Sequence, residues 1–203
     1  LLMGFGDEPK VGAAQALTAL RDRGLKLVMI SGDNQAAAEA MARCLGLRPE
    51  AEEVLANVLP GDKSAQVQKL RAGGQVVAMV GDGVNDAPAL AAADVGMAMT
   101  HPDGGTDVAM QAAGITLMRG DPLMVPAALD VARRTSAKIR QNLVWAFGYN
   151  LVGIPLAAMG ELSPMVAGAA MAFSSVCVVT NALWLSRWRP MTPGISEDRA
   201  SGA

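Results

Sequence analysis

The chain has 203 residues, 51% of them hydrophobic and 18% charged, with 17 basic side chains against 19 acidic ones. That apolar content excludes intrinsic disorder for most of its length, and the missing basic surplus disfavours nucleic acid as a partner. Cys44 and Cys177 are too few and too far apart for a disulfide framework or a CxxC metal pair, which favours a reducing compartment. Leu1-Leu2-Met3 lacks the basic n-region and cleavage site of a signal peptide. With no Met at position 1, the sequence is expected to be a piece of a longer chain.

In chain order, Val11 to Arg23 has helical apolar spacing and stops at Gly24, a C′ glycine. Leu25 to Ile30 is a short apolar run of the kind found in strands buried on both faces. Ala36 to Leu45 reads as a helix capped by Asp33-Asn34, and Val54 to Val58 as a weaker strand. Lys63 to Ala72 is helical and ends in Gly73-Gly74. Gln75 to Val80 is the next strand, followed by a short helix over Ala87 to Ala93. Strands at Val95 to Met99 and Ile115 to Met118 enclose a helix around Asp107 to Ala113. This alternation predicts a parallel, doubly wound α/β sheet, whose function collects at the carboxyl ends of strands.

Those ends carry the chemistry. Ser31-Gly32-Asp33 follows the first strand and Gly81-Asp82-Gly83-Val84-Asn85-Asp86 follows the third. Glycines flanking Asp82 let the backbone turn sharply and approach a ligand. Asp82 and Asp86 place two hard carboxylates in one short turn, a donor set suited to Mg²⁺, and Asn85 can donate an amide hydrogen bond to a phosphoryl oxygen. Pro60-Gly61-Asp62-Lys63 puts an ammonium at a helix start, where anions are already favoured. Each feature alone is ordinary turn chemistry; their joint placement is not.

Together these residues resemble the haloacid-dehalogenase-type phosphorylation domain of P-type ATPases. Gly81 to Leu90 matches that family's magnesium motif at its defining positions, Ser31-Gly32-Asp33 corresponds to its TGD loop with Ser for Thr, and Lys63 falls on its phosphate-contacting lysine. Asp7-Glu8-Pro9-Lys10 and Gly105-Thr106-Asp107-Val108-Ala109 resemble flanking segments of the same family. The resemblance implies catalytic roles for Ser31, Gly32, Asp33, Lys63 and Asn85, with Mg²⁺ on Asp82 and Asp86. The family's phosphorylated aspartate sits in a DKTGT motif, which these 203 residues do not contain. This segment alone is therefore expected not to hydrolyse ATP. Thr100-His101-Pro102-Asp103 lengthens the following loop, and His101 is expected to face solvent.

From Gln141 to Ser186 Glu161 is the sole charged residue. Asn142 to Met159 and Met165 to Leu185 are apolar segments near the length of about 20 residues that crosses a bilayer. Arg133, Arg134, Lys138 and Arg140 precede them, Arg187 and Arg189 follow, and the connecting loop has no Lys or Arg, so the outer ends are expected in the cytoplasm. Asp121 to Gln141 reads as a stalk helix, with Pro122 at its first position. Polar residues inside such segments need a partner or a function. Tyr149-Asn150 and the run Met171-Ala172-Phe173-Ser174-Ser175 are similar to the last two helices of copper(I)-exporting P-type ATPases. That resemblance implies Tyr149, Asn150, Met171 and Ser175 as ligands of Cu⁺.

The resulting expectation is an α/β, haloacid-dehalogenase-like doubly wound parallel sheet over residues 1–120, forming a partial phosphorylation domain. A stalk over 121–141, a two-helix transmembrane hairpin over 142–186 and a cytoplasmic tail over 187–203 follow. The implied function is that of a segment of an ATP-driven Cu⁺ export pump, with Mg²⁺ and ATP as cofactors of the full-length enzyme. A divalent (Zn or Cd) pump and a non-catalytic membrane-anchored remnant are the alternatives. Expected partners are the membrane, copper ion, a copper chaperone and the remainder of the pump chain, with no nucleic acid. The expected location is the plasma (inner) membrane, with the soluble domain in the cytoplasm.

Overall fold

A computed structural model describes residues 8–81, 84–100, 107–160 and 163–186. Expectations that fall on Asp7, Asp82, Gly83, the 101–106 loop with His101, Glu161 and the 187–203 tail lie outside the described residues. The chain divides into two compact units, Leu1–Pro126 and Ala127–Ala203.

The first unit alternates helix and strand: α1 (Ala13–Arg21), β1 (Met29–Ile30), α2 (Gln35–Cys44), β2 (Val54–Leu55), α3 (Lys63–Ala72), β3 (Ala78–Gly81), α4 (Ala87–Ala92), β4 (Val95–Met99), α5 (Asp107–Ala112) and β5 (Ile115–Leu117). Every pairing is parallel, as crossover helices require. The strands form two ladders rather than one sheet: β1 with β2, and β3-β4-β5 in that order. Met29 aligns with Val54 in the first ladder, and Ala78 with Val95 and Met97 with Ile115 in the second.

Local chemistry accounts for the element ends. Asn34 caps α2 by accepting from the Ala37 N–H at 2.9 Å. Gly24 takes φ +77° behind α1 and Gly74 takes φ +79° behind α3, conformations that a side chain resists. The third strand begins later than its apolar run, because the Asp94 carboxylate takes the Val77 N–H at 2.9 Å and Val76 is left exposed. Two small cores result. Ala38, Ala42, Leu47 and Val54 pack with Leu17, Leu27 and Met29 under α1 and α2. Leu90 and Ala98 pack with Met79 and Ala112 under α4 and α5. Gly96 lets α4 lie on β4, since a Cβ there would meet the Leu90 carbonyl oxygen at 2.7 Å.

The stalk and the first apolar segment are one helix, α6 (Met124–Ala158), because no breaker separates them; Pro155 lies inside it. Pro122 sits in the turn before the helix and not at its first position. That turn is fixed by Asp121, which accepts from the Leu123 N–H at 2.9 Å. Gly160 at φ +75° ends α6, and α7 (Pro164–Ser186) follows.

Within the second unit, Asn181 of α7 is bonded at both ends of its carboxamide to α6. Lys138 Nζ donates to Oδ1 at 2.6 Å, and Nδ2 donates to Asn142 Oδ1 at 2.7 Å. Both helices leave large apolar side chains exposed, among them Val144, Phe147, Leu151, Met171 and Phe173. Among the described residues no helix is both long and apolar enough to cross a membrane. The segments expected as a transmembrane hairpin are thus helical, but a membrane-spanning pair is not shown; polar residues punctuate both, Gln141, Asn142 and Asn150 in one and Ser174, Ser175, Thr180 and Asn181 in the other.

Candidate functional site

Backbone bonds stitch the predicted loops together. After β1, Ser31 donates its N–H to the Leu55 carbonyl at 2.9 Å, and its own carbonyl accepts from Val58 N–H at 3.0 Å. The Asp33 carbonyl accepts from Asn57 N–H at 2.8 Å. Within the turn, Ser31 Oγ donates to Asp33 Oδ2 at 2.7 Å and accepts from Asp33 N–H at 3.1 Å. Gly32 lies against this frame: a Cβ would come 3.4 Å from the Val58 carbonyl oxygen.

Five residues beyond Val58 the chain reaches Lys63, the first residue of α3. A cation at a helix N-terminus opposes the helix dipole. The opposing charge comes from Asp86, whose Oδ1 accepts from Lys63 Nζ at 2.7 Å, with both side chains largely buried. Asp86 immediately precedes α4 but makes no side-chain cap for it, because that oxygen is committed to Lys63. Its other oxygen lies over Gly81, where an added Cβ would stand 2.8 Å from Oδ2. Gly81 ends β3 and is not among the positive-φ glycines, so it clears space for the carboxylate and does not turn the chain as the sequence implied. Asn85 is exposed in the 3-10 turn Val84–Asp86.

Ser31, Gly32, Asp33, Lys63 and Asp86 are thus tied into one frame by way of 57–58 and the Pro60–Asp62 turn, which packs against Val84–Asp86. Among the described residues no group of three or more His, Cys, Asp or Glu gathers. Mg²⁺ does not need one, because it is held by one or two carboxylates with phosphate oxygens and water. Asp86 Oδ2, the oxygen not bonded to Lys63, is a hard donor of that kind, and Asp82, four residues earlier, carries the same donor type.

The second set of candidates is placed differently. Ser175 Oγ donates to the Met171 carbonyl at 3.1 Å, so these two share adjacent turns of α7, and Met171 is exposed. Tyr149 packs beside Trp145 with ring centroids 6.2 Å apart. Asn150 lines an open apolar groove on α6 with Leu143, Phe147, Leu151 and Ile154. Among the described residues no hydrogen bond joins Tyr149 or Asn150 to Met171 or Ser175. Sequence reasoning missed the Asn57 contact to the loop and the pairing of Lys63 with Asp86. For the pairing, the signal was a lysine at a helix start with no acid in its own first turn.

The parallel α/β fold is haloacid-dehalogenase-like, and residues 2–94 match the family model described as haloacid dehalogenase-like hydrolase. Across nearly its whole length the chain also resembles a portion of heavy-metal P-type ATPases. It is 50% identical over 188 residues to the copper-exporting P-type ATPase of Staphylococcus aureus strain bovine RF122 / ET3-1, and equally to that of strain JH9. In both cases 93% of this chain is covered and 23% of the relative, so the chain spans about a quarter of the length of these relatives. Among solved structures, the crystal structure of a zinc-transporting PIB-type ATPase in its E2.Pi state superposes with a TM-score of 0.79. It is 38% identical over 90% of this chain and 29% of its own. A catalytic CPx-ATPase domain superposes with a TM-score of 0.52 at 34% identity, covering 61% of this chain and 47% of that one.

Proposed function

We propose that the chain is a segment of an ATP-driven Cu⁺ export pump, supplying the phosphate and magnesium loops and two membrane helices. The observation that carries this reading is the Lys63–Asp86 pair at 2.7 Å, bonded through the chain to the Ser31–Asp33 turn. An oxyanion beside that turn would meet the Ser31 hydroxyl, the Gly32 backbone and the Lys63 ammonium, with the Asn85 amide as a further donor. Asp82 and Asp86 would hold Mg²⁺, which when bound neutralises phosphate charge. Asp33 keeps the Ser31 side chain in place through the 2.7 Å bond, and Asp86 holds Lys63 in its buried position.

The exposed apolar side chains of α6 and α7 support a membrane setting, since patches of this extent are normally covered in soluble proteins. The basic residues flanking the pair favour a cytoplasmic side for the first unit. In this reading Tyr149, Asn150, Met171 and Ser175 bind the transported ion. A thioether favours Cu⁺, and neither 142–159 nor 165–185 contains Asp, Glu, Lys or His. The zinc-transporting structure at TM-score 0.79 favours a second reading, a divalent-metal pump.

Replacing the matching segment of a Staphylococcus aureus copper-exporting ATPase with this chain tests both. Metal-stimulated ATP turnover of the chimaera in membrane vesicles is expected with Cu⁺ and not with Zn²⁺. Stimulation by Zn²⁺ alone would establish the second reading, and a membrane-inserted chimaera without turnover under either metal would overturn the pump assignment.

A further inference from the structure

Successive N–H groups of an extended strand point to opposite sides. Yet Asn57 and Val58, just beyond β2, donate consecutively to one three-residue loop, to the carbonyls of Asp33 and Ser31. A regular strand cannot do this. What permits it is the backbone of Asn57, which stands at φ +55° in the left-handed region. Among the described residues only Glu52, at φ +57°, shares that conformation without being glycine. Asparagine enters it more readily than most side chains. Asn57 itself is exposed, and its side chain makes no hydrogen bond among the described residues. The residue type thus serves the backbone and not a contact.

We propose that Asn57 is a positioning residue for oxyanion binding at Ser31-Gly32-Asp33, acting through its left-handed backbone. Returned to an extended conformation, residue 57 would turn one of the two N–H groups away from the loop. Gly32, which lies 3.4 Å (as a Cβ) from the Val58 carbonyl, would lose its backing. The inference rests on the phosphate reading of that loop.

The test uses the 203-residue chain in detergent micelles, titrated with inorganic phosphate in the presence of Mg²⁺ and followed by the amide NMR shifts of Ser31, Gly32 and Asp33. Asn57→Gly, free to adopt the same φ, is expected to bind as the unsubstituted chain does. Asn57→Val, for which that φ is strained, is expected to bind about tenfold more weakly. Glu52→Val carries equal backbone strain away from the loop and is expected to retain the original affinity while losing similar thermal stability. Unchanged affinity in Asn57→Val, or equal weakening in Glu52→Val, overturns the positioning role alone. A chain whose loop amides do not respond to phosphate at all overturns the phosphate reading, and the proposal with it.

Discussion

At Gly81 the absent side chain matters more than any backbone freedom. A methyl group there would fall 2.8 Å from both the Cβ and Oδ2 of Asp86, so Gly81→Ala has to push the carboxylate, and with it the bond to Lys63. Overpacking of this kind costs about 1–3 kcal/mol. We expect Gly81→Ala to lower the urea midpoint accordingly and to weaken the phosphate response of the Ser31–Asp33 amides; an unchanged midpoint would show that the carboxylate can shift freely. The motif was legible in the sequence as a Gly-Asp-Gly turn. Its spacing could not reveal that the first glycine makes room for the last aspartate, because the contact depends on how the 3-10 turn folds back. Asn57 was silent for a similar reason: a lone Asn after an apolar run does not announce a positive φ.

Several short elements are tied by one carboxylate. Glu53, 5% exposed, precedes β2 and accepts from the Arg48 side chain at 2.8 Å, from the Arg48 N–H at 2.8 Å and from Arg21 Nη2 of α1 at 2.7 Å. Arg21 also donates to the Gly46 carbonyl behind α2 at 2.8 Å. The hydrogen bonds from Arg48, with Arg21 nearby, hold the Glu53 carboxyl below its ordinary value. A lowered native pKa means that the stabilisation is fully present above the unfolded carboxylate value of about 4.3 and is lost as pH falls through the native value. Thermal unfolding followed from pH 7 down to pH 3 should therefore steepen below about pH 4. Glu53→Gln should be less stable at neutral pH and lose part of that acid dependence; an identical acid profile would remove Glu53 from the account. Element types were readable where propensity and burial agree, as in β4 at Val95–Met99 and α3 at Lys63–Ala72. They were overextended where a side chain takes the strand's donor, as Asp94 does at Val77. The Glu53 clamp was not readable at all, because one of its partners stands 32 residues away.

For the molecule as a whole, the division at Pro126 separates two kinds of residue environment. In the first unit, alanine supplies six of the buried apolar positions among the described residues: Ala16, Ala38, Ala42, Ala87, Ala89 and Ala98. Small side chains let helices lie close on strands, but each buries little, at about 0.8 kcal/mol per buried CH₂. Polar ties such as Lys63–Asp86 hold the elements in register, and the two members of that pair lie at the candidate oxyanion site. A ligand that binds only the folded unit adds about 2.7 kcal/mol at a hundredfold excess over its Kd. Scanning calorimetry of the 203-residue chain should accordingly show a melting temperature raised by several degrees by phosphate with Mg²⁺, and an unmoved transition would deny the linkage.

A lean, alanine-lined interior has one more implication. Small buried side chains gain little from closure, so resistance to a protease should rise when a ligand that binds only the folded unit fills the strand-end loops. Digestion patterns would then report phosphate occupancy without any label.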